Sequence, residues 1–306
     1  MFAAFLATIL FSLSAVCGNR TARIIGGVEA NFWRLALAAL FLSVWAYTAG
    51  SGVGGNSLPM FLISGVIGIG IGDAGLFQAY PRLGSRLSVL LIQCLTAPLA
   101  IVIEWLWLGT TLRPGQIICV FVIVGGVAVA LSPGEHLHIP RRQLVSGVSF
   151  ALLGALGNSL GAVMSRKGFA IAQANGEMLD GGTASFQRLI GGLLVSGILL
   201  LVAKRQFVRL PESAGDVMDT TAAHDKWRRI WFWVVLNSLA GQTLGMSLAL
   251  WALKTTPTGI VTAITALTPL MVIPFTRVME NEKVTARSLL GGAIAVGGVV
   301  GLTLAK

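Results

Sequence analysis

Charged side chains are scarce in this sequence, and their scarcity excludes most water-soluble folds. Aspartate, glutamate, lysine and arginine make up 11% of the 306 residues, whereas about a quarter is usual in soluble domains. Hydrophobic residues make up 55%. Because a chain with this balance has too little charge to cover its surface, we predict a protein that is surrounded by lipid.

Histidine and cysteine are also rare, with three of each. Cys17, Cys94 and Cys119 lie in separate apolar segments, so we expect them to be packing residues and not a metal or redox cluster. No Walker phosphate-binding loop precedes an apolar segment, which argues against an ATP-driven pump. We therefore predict neither a metal nor a cofactor.

Bases outnumber acids, and the formal net charge is +10. Because the cations are spread among the segments between apolar runs, we expect no nucleic-acid partner. Such cations instead set membrane orientation. One predicted side holds only Arg113, Arg166, Lys167, Lys254 and Lys306. The richer side, from Arg20 to Arg287, is then cytoplasmic, and both termini lie outside the cytoplasm.

Long apolar runs are abundant. A helix needs about 20 apolar residues to cross the hydrocarbon core of a bilayer, and runs of that length recur along the chain. The first run lacks a basic n-region, so we interpret it as a helix and not as a secretory signal peptide. We predict an all-α polytopic membrane bundle of ten transmembrane helices, at 2–18, 31–49, 58–80, 87–108, 115–132, 144–165, 184–203, 230–253, 258–278 and 286–305.

The chain also repeats itself, and four matches recur in the same order in its two halves. They are "SLSAV" at 12–16 with "SLGAV" at 159–163, "ANFWRL" at 30–35 with "ASFQRL" at 184–189, "LTAPLAIVI" at 95–103 with "LTPLMVIPF" at 267–275, and "VGGVAVAL" at 124–131 with "VGGVVGLTL" at 296–304. The halves, 1–133 and 143–306, each hold five predicted helices, and an odd number inverts the second half. A polar loop at 204–229 joins helices 7 and 8. Inverted repeats are typical of secondary transporters, whose substrate site lies between the halves.

These residues resemble the drug/metabolite transporter superfamily, EamA type, with two EamA units. The resemblance rests on Arg34 and Arg188, on Pro98 and Pro269, and on the ending "ENEKVTARSLLGGAIAVGGV" at 280–299, where Glu282 stands at the usual position of the family's glutamate. The first unit departs from the pattern, with Thr110 in place of the acid. The resemblance implies a central cavity formed largely by helices 1, 3, 4, 6, 8 and 9. It also implies cytoplasmic termini, opposite to the orientation that the cations predict.

Four charged residues lie more than two residues inside the ends of predicted helices, where a charge is costly. Arg34 and Arg188 lie one turn inside their helices, and three interpretations are open: snorkelling to the headgroups, pairing within the bundle, or contact with substrate. Tracing the chain places Asp73 at the depth of Arg34, and Glu104 at the depth of Arg188. We predict these two ion pairs. Asp73 has an alternative interpretation as a proton-binding site.

Uncharged polar and aromatic residues are candidates for a substrate cavity that takes amino acids, amphipathic metabolites or drugs. With Asp73 they are Gln78, Tyr80, Gln93, Asn158, Asn237, Gln242 and Trp251. Taken singly, each amide also fits an interhelical hydrogen bond. Pro98 and Pro269 each remove a backbone hydrogen bond in mid-helix and are candidate hinges or static bends. Glycine stripes at Gly65, Gly68, Gly72 and Gly75 and at Gly154, Gly157 and Gly161 predict close helix packing.

The predicted function is secondary transport of small organic solutes across a cell membrane, as an exporter of the inner membrane that works by alternating access, with proton coupling left open. A non-transporting membrane scaffold is the alternative. An intramembrane hydrolase is a third, because "GNSLG" at 157–161 fits the G-x-S-x-G pattern. That pattern needs a strand-to-helix elbow and a base, and it falls here within a predicted helix. We therefore predict that the protein is not an enzyme.

Overall fold

The computed structural model describes residues 2–108, 114–131, 139–208, 220–255, 264–265, 267–280 and 285–304. These residues contain helices and no strand. The α-helices are α1 Phe2–Ile25, α2 Gly27–Thr48, α3 Leu58–Gly65, α4 Asp73–Leu108, α5 Pro114–Leu131, α6 Arg141–Ala174, α7 Gly181–Val208, α8 Thr220–Asn237, α9 Met246–Thr255, α10 Thr268–Met279 and α11 Ala286–Leu304. Two π-helical segments, π1 (Val66–Gly72) and π2 (Ser238–Gly245), join α3 to α4 and α8 to α9.

Six helical stretches are long and apolar enough to cross a bilayer: Phe2–Ile25, Gly27–Thr48, Leu58–Ala100, Arg141–Ala174, Gly181–Arg205 and Trp227–Ala252. The shorter apolar helices Ile117–Gly126 and Leu289–Gly301 accompany them. Side chains on the outer faces of these helices are large and apolar, as lipid contact requires. The architecture is that of a polytopic membrane bundle.

The stretch from α3 to α4 is interrupted at one residue. Gly84 has φ 80° and ψ 167°, a left-handed conformation that favours glycine. It lies between the predicted helices 58–80 and 87–108, so the helical stretch is interrupted where the sequence predicts a connection between two helices.

Several helices run further than predicted, and the cations assigned to loops lie within them. Arg166 and Lys167 are inside α6, which continues to Ala174, and Arg20 is inside α1. The Arg20 guanidinium lies 4.5 Å from the centre of the Trp233 ring. Packing of this kind stabilises polar helix ends that hydropathy does not detect.

The predicted polar loop at 204–229 is also largely helical. Residues 204–208 end α7 and residues 220–229 begin α8, and only 209–219 lie outside the described residues. The prediction of a loop here was wrong at both ends because helix propensity continues past the apolar run.

The two candidate hinge prolines occupy different helix positions. Pro98 is buried inside α4, as predicted. Pro269 instead lies in the first turn of α10, where a proline has no helical hydrogen bond to remove. The prediction of a mid-helix kink at Pro269 is therefore wrong, and the proline inside α10 is Pro274.

The two glycine stripes face each other. A Cβ built on Gly157 would lie 2.6 Å from the Cα atom of Gly72, and one on Gly161 would lie 2.8 Å from the Cα atom of Gly68. The backbones of α6 and π1 are therefore in direct contact. Beside this seam, the largest apolar cluster joins α4, α5, α6 and α11, with Leu91 and Ile123 among its fully buried members.

We expect Gly157→Ala to destabilise the protein by about 1–3 kcal/mol, because the added methyl group meets backbone that has no side chain to move aside. The matched control is Gly125→Ala in α5, where an added Cβ has no atom within 4 Å. Thermal unfolding in detergent measures both. Equal midpoints for the two variants would contradict a close backbone contact at Gly157.

Candidate functional site

A cavity of about 820 Å³ lies inside the bundle. Its lining includes residues of α1, α4, α6, α9, α10 and π2, and the arginine side chains of α2 and α7 also reach it. Polar groups are concentrated in its wall: Ser14, Arg34, Asp73, Tyr80, Gln93, Thr96, Asn158, Arg188 and Gln242. The volume is that of a small-molecule site.

Arg34 and Asp73 form the ion pair that the depth argument predicted. Nη2 of Arg34 lies 2.6 Å from Oδ2 of Asp73. Both residues are buried, with 4% and 7% of their surface exposed. The same Nη2 donates to Oδ1 of Asn31 at 2.9 Å, and the guanidinium lies 4.7 Å from the Phe77 ring centre. The interpretation of Arg34 as a snorkelling residue is therefore wrong, since a snorkelling guanidinium would be exposed.

Gln242, from the other half of the chain, also contacts the ion pair. Nε2 of Gln242 donates to Oδ2 of Asp73 at 2.8 Å. Gln242 lies in π2, and Asp73 is the first residue after π1. A π-helical turn holds an extra residue, which alters the direction of the side chains around it. The carboxylate thus accepts two donors from different helices and links α2, α4 and π2.

Arg188 occupies a different environment. It is 6% exposed and lines the same cavity, but its hydrogen-bond partner is the Met246 thioether, with Nη1 3.7 Å from Sδ. Its Nε has no hydrogen-bond partner. Burial excludes snorkelling for this arginine also. The side chain of Glu104 is outside the described residues, so its pairing with Arg188 stays a prediction.

The structure brings together five of the eight residues proposed for the cavity. Asp73, Tyr80, Gln93, Asn158 and Gln242 line it.

The other three candidates lie elsewhere. Gln78 faces a separate cleft, where its side-chain oxygen accepts from Nη1 of Arg82 at 2.8 Å. Asn237 is buried, and its Oδ1 accepts from the Ser14 hydroxyl at 2.6 Å, which fits the interhelical hydrogen bond. Trp251 is 53% exposed on the outside of the bundle. Hydropathy did not show which face of a helix each of them occupies.

One end of the cavity reaches the surface at the segment between α6 and α7. Glu177 and Met178 line it there, and Met178 is 87% exposed. Hydrogen bonds from the Asn56 backbone and the Ser57 hydroxyl hold the pKa of Glu177 below its usual 4.5. These bonds, at 2.5 and 2.9 Å, connect the segment to the one between α2 and α3.

Asp180 fastens the start of α7 at the same end. Burial raises the pKa of Asp180, but hydrogen bonds from Thr183, Trp45 and Gly182 outweigh burial and leave the pKa below its usual 3.8. The Trp45 indole N–H donates to Oδ1 at 3.0 Å, and the Gly182 N–H donates to the same atom at 2.8 Å. The carboxylate therefore caps α7 and anchors it to α2.

The opposite end of the cavity is closed by packed side chains. Tyr80, Phe77 and Val272 are buried together in one apolar cluster. Beyond them, Glu280 accepts from Asn19 at 2.8 Å and from Ser85 at 3.0 Å. Sequence reasoning missed Glu280, because it placed weight on Glu282, which lies outside the described residues with Thr110.

The serine of "GNSLG" has no hydrolase geometry. Ser159 lies within α6, and its hydroxyl donates to the backbone oxygens of Ala155 and Thr96 at 2.7 and 2.8 Å. A nucleophile elbow requires a turn between a strand and a helix. The Ser159 hydroxyl therefore forms one hydrogen bond within α6 and one to α4, which accounts for a serine at this position.

Comparisons with known proteins agree on the fold. The profile of the EamA-like transporter family matches residues 1–132 and 145–304. Among solved structures, one titled only "Crystal structure of protein" is similar with a TM-score of 0.62 and 16% sequence identity, over 99% of this chain and 97% of that chain. At this identity, the likeness shows the fold alone. No curated protein matches the sequence.

We expect Asp73→Asn to destabilise the protein by about 3–5 kcal/mol, because it leaves the Arg34 guanidinium buried without its counter-ion. Arg34→Gln should have a similar effect, and the exchange Arg34→Asp with Asp73→Arg should recover part of the loss. Thermal unfolding of the purified variants measures this coupling. Single variants as stable as wild type would contradict a structural role for the pair.

Acid should weaken the contact between the two segments at the open end. A carboxylate with a lowered pKa contributes stability above its usual pKa, and the contribution is lost as the pH falls through the folded value. The difference in unfolding midpoint between wild type and Glu177→Gln should therefore be largest at pH 7 and shrink below about pH 4.5, the usual pKa of the group. A difference that stays constant between pH 7 and the acid limit of the assay would contradict this role.

Proposed function

Since the chain belongs to the EamA-like transporter family, we propose that it is a secondary transporter of small organic metabolites. Transport takes place by alternating access around the central cavity. The observation that carries this proposal is the buried polar wall of that cavity, to which both halves of the chain contribute. A bundle that served only as a membrane scaffold would have no need to bury two arginines, a carboxylate and several amides around an empty space.

The chemistry of the wall supports an organic solute with both polar and apolar parts. Gln93 and Asn158 supply amides, and Tyr80 and Phe169 supply aromatic surface. A few fixed polar groups within apolar surroundings orient a ligand, while the apolar surface contributes binding energy. Amino acids, amphipathic metabolites and drug-like molecules fit this description. The wall needs no cofactor for such binding.

The topology that we propose is ten membrane spans in two inverted units, 1–133 and 143–306. The break at Gly84 supports two spans within the stretch Leu58–Ala100, whose 43 residues would extend about 65 Å as one helix, twice the hydrocarbon thickness. The paired segments π1 and π2, each in the third predicted span of its unit, support the repeat. A cavity lined by both units also supports this topology, because the substrate site of inverted-repeat transporters lies between the units.

For orientation, we propose that the cation-rich end is cytoplasmic and that both termini lie outside the cytoplasm. Arg20, Arg82, Arg141 and Arg277 all belong to the end that Tyr80 and Glu280 close. The open end near Met178 then faces away from the cytoplasm. We propose a cell-membrane location, the inner membrane if the cell has two, and export as the direction.

Proton coupling through Asp73 would require a change of conformation. In this structure its Oδ2 atom accepts from both Arg34 and Gln242. We propose that Asp73 positions Arg34 here, and that a role in proton coupling would begin with the separation of the two residues.

The test is a comparison of metabolites inside and outside cells that overproduce the protein with those of cells that lack it. Ala162→Trp places an indole in the cavity and should abolish every difference that wild type produces, because Ala162 lines the cavity. Leu153→Trp is the matched control on the same helix, at a lipid-facing position that is 41% exposed. It should transport like wild type.

Three outcomes decide between the candidate functions. Solutes that move with wild type and Leu153→Trp, but not with Ala162→Trp, support transport through the cavity. No solute difference between overproducing and deficient cells would overturn the proposed function in favour of a scaffold. A cleaved product in place of a relocated solute would favour a hydrolase.

A further inference from the structure

Two buried arginines occupy equivalent positions but have unequal partners. Arg34 and Arg188 are the fifth residues of "ANFWRL" and "ASFQRL". Arg34 contacts Asp73, the residue that directly follows π1. Arg188 contacts Met246, the residue that directly follows π2. The same arginine contact is therefore present twice, once with a carboxylate and once with a thioether.

Glycines around the two contacts support the equivalence. Gly68 and Gly72 precede Asp73 with the spacing by which Gly241 and Gly245 precede Met246. A Cβ on Gly68 would lie 3.2 Å from Nη2 of Arg188, and a Cβ on Gly241 would lie 3.5 Å from Nη1 of Arg34. Each guanidinium thus lies over a glycine of the other half.

The other residues that contact the Arg34 guanidinium, Asn31 and Phe77, have different residue types at the equivalent positions near Arg188. Asn31 corresponds to Ser185 in the six-residue match, and the Ser185 hydroxyl is buried without a hydrogen-bond partner. Phe77 lies four residues after Asp73, and the residue four after Met246 is Leu250. Within the described residues, no carboxylate forms an ion pair with Arg188.

Among the described residues Arg188 has no carboxylate partner, so an anion from elsewhere would complete its surroundings. An arginine guanidinium stays charged in proteins, and burying a charge without a partner is strongly unfavourable. Arg188 is 94% buried and its side chain is part of the cavity wall, with Nε unbonded. The guanidinium therefore lies at the space that a solute would enter, with part of its hydrogen-bonding capacity unused.

We propose that Arg188 binds the carboxylate of a singly charged organic anion, which supplies the counter-ion that Asp73 supplies to Arg34. This inference rests on the proposed transport function and specifies its substrate class. The charges of the lining support a single negative charge, since the described lining contains Arg34, Arg166 and Arg188 against Asp73 and Glu177. Guanidinium groups recognise carboxylates through charge-assisted hydrogen bonds.

The experiment measures binding to the full-length protein in detergent, by titration calorimetry and by ligand-induced shifts of thermal unfolding. The probes are benzoate and hexanoate, each compared with its neutral amide, and phenyl phosphate as a doubly charged comparison. Both carboxylates should bind and raise the unfolding midpoint more than their amides do. Absence of that difference for both pairs would overturn the proposal. A stronger response to phenyl phosphate than to benzoate would overturn the choice of a singly charged anion.

Substitutions at the contact separate this proposal from a general salt effect. Arg188→Gln should weaken benzoate binding by about ten- to a hundredfold and leave benzamide unaffected. Met246→Asp recreates the carboxylate of the other half, so it should raise the unfolding midpoint without ligand and abolish the benzoate response. Arg205→Gln, an exposed arginine of the same helix α7, is the matched charge control and should change neither.

Glu104 provides the competing explanation for the charge on Arg188. If the Glu104 carboxylate neutralises Arg188, then Glu104→Gln removes that counter-ion and should increase the affinity for benzoate above that of wild type. That result would overturn the proposal. We expect Glu104→Gln to bind benzoate like wild type.

Export by cells that carry wild type or Arg188→Gln separates the transport function from the anion site at Arg188. Solutes that are exported equally by wild type and Arg188→Gln, and that carry no negative charge, would overturn the anion site while leaving transport intact. If no solute is exported, the transport proposal fails, and benzoate binding by purified protein still decides whether Arg188 is an anion site.

Discussion

The ion pair between Arg34 and Asp73 depends on a constraint that governs the whole chain: inside a bilayer, polar groups find partners within the protein. The pair is buried among α2, α4 and π2, with only 4% and 7% of the two residues exposed. Satisfying both charges requires three separate segments to meet at one point. The interaction therefore specifies how the halves of the chain fit together, more than it adds to net stability.

The same constraint explains why the cavity has polar walls without being an open pore. Its far end is closed by Tyr80 and the cluster around Val272, and Glu280 links α1, α4 and α10 beyond that cluster. Its near end lies beneath segments joined by the Glu177 carboxylate. Between the two ends, the amide and guanidinium groups of the wall are carried by helices. This arrangement agrees with the proposed alternating access, in which the cavity opens to one side of the membrane at a time.

The sequence predicted the class of fold and one buried contact for physical reasons that can be identified. Period and length of the apolar runs indicated membrane helices, and tracing the chain through the bilayer placed Arg34 and Asp73 at one depth. Depth says nothing about direction around a helix axis, which explains why Trp251 was assigned to the cavity although it faces outward. Neither π segment was predicted, because an extra residue in a turn leaves no mark on hydropathy. Helix ends such as that of α6 extended into polar sequence, since packing and not apolarity decides where they stop.

The seam between π1 and α6 has a mechanical consequence. At Gly72 and Gly157 the contact is made by main-chain atoms, and main chain has no rotamers to exchange. Neighbouring helices with bulky side chains adapt to small displacements by repacking, whereas this seam has nothing to repack. Relative movement there is restricted to rotation or sliding of whole helices. A displacement at one end of α6 is therefore expected to move the other end also.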